Sequence, residues 1–75
     1  MKRENLEKAN DLDKEIFNLE SLRKMFVDDK VVFASDDRNI YLASFTDVTR
    51  NEMKKLMIDF INDRIKELES KFEEL

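Results

Sequence analysis

From Leu6 to Phe26 the apolar side chains fall at Leu6, Ala9, Leu12, Ile16, Leu19, Leu22 and Phe26. Steps of three and four place all of them on one stripe of a helix, because residues so spaced lie above one another on the same face. The spacing predicts a helix from about Glu4 to Val27. Glu4 with Lys8 and Glu20 with Lys24 support it at a spacing of four, while Asp11 with Glu15 opposes it. Each such pair is worth only a few tenths of a kcal/mol, so the apolar stripe decides. Phe17 lies off the stripe.

At Asp28-Asp29-Lys30 the period changes. Two β-rich runs, Val31–Ser35 and Ile40–Phe45, flank Asp36-Asp37-Arg38-Asn39, and β-branched or aromatic runs around a cluster of Asp and Asn read as a hairpin. The tight type I′ turn favours glycine, which the chain lacks. A loop of four or five residues with Asn39 in the left-handed region is therefore expected.

Thr49 and Glu52 have the spacing of a capping box, with Val48 and Met53 placed as a hydrophobic staple, so a second helix is expected to start at Thr49. Met53, Leu56, Met57, Phe60 and Ile61 give its first half a face broad enough to cover both the first helix and the hairpin. Ile58, Ile61, Ile65, Leu68, Phe72 and Leu75 then step by three and four without a miss, the pattern of a coiled-coil seam. These six are the expected interface residues.

The elements predict an α+β fold, mostly helical, in which residues 1–75 form one helix-hairpin-helix (α-β-β-α) domain with two long antiparallel helices and a short two-stranded hairpin. The composition agrees: 43% of residues are charged, 41% are hydrophobic, and Gly and Pro are absent, a bias toward helix and away from loop-rich folds. A chain of 75 residues buries only about 60% of the surface that its unfolded form exposes, and such small cores are usually supplemented by disulfides, a metal or assembly. Cys and His are both absent, so assembly is the expected supplement. A free two-stranded hairpin, marginal alone, points the same way. A homo-oligomer follows, a symmetric dimer or a dimer of dimers.

The net charge of -4 is uneven: residues 1–27 carry six basic and six acidic side chains, 28–48 two and five, and 49–75 six and seven. Duplex binding needs basic residues concentrated on one face, so the near-neutral helices argue against nucleic acid. Residues Met1–Asn5 show no apolar run of a signal peptide, and no stretch approaches the length of a membrane span. A soluble cytoplasmic protein is the expectation.

Without His or Cys the available bases are carboxylates and lysines on helical faces, and no nucleophile-base set is apparent. An enzyme is not expected, and neither is a cofactor. Asp59 and Asp63 lie one turn apart but are flanked by Lys55 and Lys66, and the Asp36–Asn39 cluster lacks the central Gly and closing Glu of a calcium loop, so no metal is expected either. Phosphate loops built on glycine are excluded. What the chain does offer is the start of the second helix, where free backbone N–H groups attract anions. Thr49, Arg50 and Lys54 stand there, with Arg38 and Tyr41 from the hairpin, and together these form the candidate ligand-binding set.

A helix, a hairpin containing Lys30-Val31-Val32 and Ile40-Tyr41-Leu42, and a helix ending in a seam resemble a shortened β-class prefoldin subunit across the whole chain. The helices are shorter than those of prefoldin and the hairpin has no glycine, so what the resemblance implies is pairing through the hairpin and, at its furthest, a small chaperone. In being short, acidic and free of catalytic residues, the chain is also similar to the small accessory proteins of phages and mobile elements, many of which inhibit or sequester. The expected function is that of a small oligomeric binding protein that binds and inhibits a protein partner. The alternatives are sequestration of an anionic nucleotide between subunits and prefoldin-like chaperoning.

Overall fold

The computed structural model describes residues 3–75. Helix α1 spans Arg3–Val27, strands β1 and β2 span Val32–Ala34 and Asn39–Tyr41, a single 3-10 turn covers Leu42–Ser44, and helix α2 spans Asp47–Glu73. The order is α-β-β-α, as the periodicity predicts. The helices run antiparallel: Arg23 Nη1 donates to Asn62 Oδ1 across them at 2.6 Å, while Lys8 and Leu12 share a groove with Lys71 and Leu75. The molecule as a whole is elongated, 49 × 26 × 15 Å.

The end of α1 is fixed by backbone chemistry. Lys30 N–H donates to the Met25 carbonyl at 2.9 Å and Asp29 N–H to that of Phe26 at 3.3 Å, the paired bonds that satisfy orphan carbonyls at a helix C-terminus. The motif requires a left-handed residue, and in a chain without glycine Asp29 takes that position with φ 58°. Asp tolerates it better than most residues with a Cβ.

Asn39, expected in the left-handed region, lies instead within β2, paired with Ala34. The loop has four residues, within the expected four or five, but it runs Ser35–Arg38 and excludes Asn39, and side-chain bonding closes it. Ser35 N–H donates to the Arg38 carbonyl at 3.0 Å, and Arg38 N–H donates to Ser35 Oγ at 3.2 Å. A serine hydroxyl that mimics a backbone acceptor in this way removes the need for a positive φ.

The start of α2 also differs from expectation. Thr46, not Thr49, is the cap: its Oγ1 accepts from Thr49 N–H at 3.4 Å, and its carbonyl accepts from Arg50 N–H at 2.8 Å. The earlier start places Asp47 in the first turn, where the helix dipole favours an anion. Thr49 is thereby the third helical residue, and Val48, 69% exposed, is no staple. The run Ile40–Phe45, read as strand, stays extended only to Tyr41. It then coils so that Leu42 turns inward to a fully buried position.

Five buried side chains make the core: Phe26 from α1, Val31 and Leu42 from either side of the hairpin, and Ile61 and Ile65 from α2. Leu42 N–H donates to the Val31 carbonyl at 3.0 Å, so the two residues that anchor the hairpin lie just outside the strands. Ile16, Leu19, Leu22, Met53, Met57 and Ile58 pack around this cluster half-buried. The strand residues Val32, Phe33 and Tyr41 are exposed.

Candidate functional site

The expected ligand set divides into two places. At the junction of the helices, Lys54 Nζ lies 2.9 Å from Asp29 Oδ1, an ion contact off the hydrogen-bond direction, and also donates to the Val27 carbonyl at 3.3 Å. Arg50 Nε lies 3.8 Å from Asp29 Oδ2. Its Nη1 donates to the Phe45 carbonyl at 3.2 Å, and its Nη2 pairs with Asp47. Both cations are thus turned onto the chain's own carboxylates and carbonyls. Lys54 satisfies one of the carbonyls that α1 leaves free at its end, where positive charge is favoured. Thr49 contributes its N–H to the cap. Three of the five predicted residues therefore hold α2 to the end of α1 and to the segment before it.

The other two, Arg38 and Tyr41, meet on the hairpin. They line a cleft of about 300 Å³ with Asn39, Ile40, Ser44 and Phe45. Arg50 and Lys54 do not line it. Tyr41 is half-exposed, and Arg38 takes part in none of the ion pairs among the described residues. The cleft thus offers one guanidinium, one phenol and an aromatic wall, beside the acidic loop residues Asp36 and Asp37.

The six seam residues also divide. Ile61, Ile65 and Leu68 are buried within the single chain and Ile58 is half-buried against the core, so this part of the seam serves α1 of its own chain. Phe72 and Leu75 are exposed, by 39% and 36%, and only this tail of the stripe is open to a second chain.

A third place was not foreseen as a site. Phe26, Phe33, Met53, Leu56 and Met57 line a groove of about 240 Å³ with apolar side chains alone. Its rim continues along α2 to Phe60, one turn beyond Leu56. Here Arg64 lies over the ring at 5.4 Å from its centroid, within cation-π range. The sequence signal was the breadth of the face from Met53 to Ile61, which exceeds what α1 and the hairpin cover.

Among the described residues no three His, Cys, Asp or Glu side chains converge, and no helix is long and apolar enough to cross a membrane. The chain matches no family model, no curated protein and no solved structure.

Proposed function

We propose that the chain is a non-enzymatic binding protein that works as a homo-oligomer in the cytoplasm and engages, and thereby inhibits, a protein partner through its hairpin. The observation that supports this reading is the cleft in which Arg38 and Tyr41 stand together with Phe45. Arg and Tyr are the side chains most often found to dominate protein interfaces, since each combines a large apolar body with a polar end.

The same pair supports the second reading, an anionic nucleotide, because a guanidinium grips phosphate in bidentate fashion and a phenol ring stacks on a base. That reading is the weaker one. One arginine gives little positive charge, and Arg50 and Lys54, the other cations of the expected ligand set, are held by Asp29 and Asp47.

Native mass spectrometry of the protein purified from its own host separates the two. A copurifying protein is expected, lost from the Arg38→Ala/Tyr41→Ala variant while the circular dichroism spectrum is kept. A copurifying nucleotide would replace the partner reading with sequestration, and a protein retained by the variant would move the binding surface away from the hairpin.

A further inference from the structure

We propose that the flank of α2 carrying Met53, Leu56 and Phe60, with Phe33 of β1 beside it, is the face through which two copies of this chain pair into a symmetric dimer. The inference rests on the oligomer reading above and supplies the surface that it lacks.

The first support is architectural. Domains are built from at least two packed layers, because an amphipathic layer must bury its apolar face against another. Among the described residues of this chain only seven apolar side chains are buried, five of them in one cluster with the hairpin anchors Val31 and Leu42, so the flank of α2 that carries Leu56 and Phe60 has no layer packed against it. A compact monomer of 9.0 kDa is expected to expose about 4,900 Å². The chain exposes 6131 Å². The excess, about 1,200 Å², is more than the roughly 800 Å² that each partner contributes to a stable interface. The radius of gyration, 15.8 Å, is likewise well above the roughly 11 Å of a compact domain of this length.

The second support is where the apolar surface lies. Leu56 is 72% exposed, Phe60 52% and Phe33 43%, and Leu56 and Phe33 meet at the apolar groove over Phe26. Scattered exposed apolar residues are ordinary, whereas a contiguous set of aromatic and aliphatic groups around an apolar groove marks an association surface. Phe17 is exposed to a similar degree on α1, but it does not line this groove.

The third support is charge. Further along α2, Arg64 lies 3.6 Å from Glu67 and Lys71 lies 3.5 Å from the same carboxylate. A second copy laid against this stretch meets both signs of charge rather than one repelling sign. A strongly acidic or basic partner would find no matching field there. An isologous pair, in which the same patch serves both copies, is the commonest arrangement of small oligomers.

Sedimentation equilibrium and light scattering test the assignment with three forms of the full chain. The wild type is expected at twice 9.0 kDa, Leu56→Glu/Phe60→Glu at the monomer mass with its helical signal kept, and Phe17→Glu at the wild-type mass. Should the double variant lose its helical signal, Leu56→Ser, which removes apolar area without adding charge, carries the same comparison. Independently, the wild-type melting temperature is expected to rise with protein concentration, as it does when folding and pairing are coupled. A monomeric wild type whose melting temperature is independent of concentration would overturn both this face and the oligomer reading. An oligomer whose mass survives the Leu56 and Phe60 substitutions would overturn the face alone.

Discussion

The two ends of the helical layer are held together by different means. At the hairpin end, Phe26, Val31, Leu42 and Ile61 are buried together, and Lys54 and Arg50 tie α2 to Asp29 just beyond α1. At the open end only Ala9 and Leu68 are buried among the described residues. There a groove of about 480 Å³ between the helices is lined by Leu12, Leu75 and charged residues such as Lys8 and Lys71. Both ends carry the same three-and-four periodicity. The periodicity of an apolar stripe thus specifies which face turns inward, but the depth of burial depends on a third element, here the hairpin, to close the space between two helices.

The largest expected effect follows from removing that third element's contact. Leu42 and Ile61 are the largest side chains buried completely. Truncating such a residue costs about 2–5 kcal/mol, the lost transfer energy plus the cavity left behind. Leu42→Ala and Ile61→Ala are therefore each expected to lower the melting temperature by roughly ten degrees or more. Leu68→Ala, at the open end, is expected to cost less because its surroundings can collapse into the groove. Thermal denaturation followed by circular dichroism at one fixed concentration checks the ranking. An equal loss at all three positions would mean that the two ends are equally consolidated.

This difference also marks how far the sequence could be read. Both helices and the hairpin are legible, because each rests on a local pattern of three to seven residues, whereas the placing of the loop, which excludes Asn39, depends on how Ser35 bonds to Arg38. The start of α2 is not legible either, because Thr46 and Thr49 both satisfy the local rule for a cap. What favours Thr46 is Arg50 reaching back to the Phe45 carbonyl and to Asp47. The division of the ligand set was hidden for the same reason. That Lys54 would meet Asp29, 25 positions away in the chain, depends on the antiparallel packing, whereas Arg38 and Tyr41 are joined by the local geometry of the hairpin.

A smaller effect is expected at Asp29, where backbone and charge can be separated. Asp29→Asn keeps a side chain that tolerates positive φ but removes the partner of Lys54 and Arg50. Since Asp29 is partly exposed, the loss is expected at about 1 kcal/mol or less after solvent screening. Asp29→Gly loses the same ion contacts but relieves the left-handed strain, which is of order 1 kcal/mol for a residue with a Cβ. The glycine variant is therefore expected to equal or exceed the asparagine variant in urea denaturation. A glycine variant clearly less stable than asparagine would mean that a side-chain hydrogen bond of the asparagine, together with the greater unfolded-chain entropy of glycine, outweighs the relief of strain.

The smallest effect is expected at the end of the seam. Phe72 continues the stripe of Ile58 and Ile65, yet it is exposed and lies beyond the five-residue core. Surface substitutions away from caps and buried networks usually change stability by no more than about 0.5 kcal/mol, and Phe72→Ala is expected within that range. Amide hydrogen exchange gives the finer readout, because fraying ends open at much lower free energy than a core does. Exchange is expected to quicken over residues 68–73 and to stay unchanged around Ile61. A loss of protection reaching Ile61 would show that the open end supports the closed one. A change in assembly mass on Phe72→Ala would instead place the tail of the seam, rather than the Leu56 and Phe60 flank, at the contact between copies.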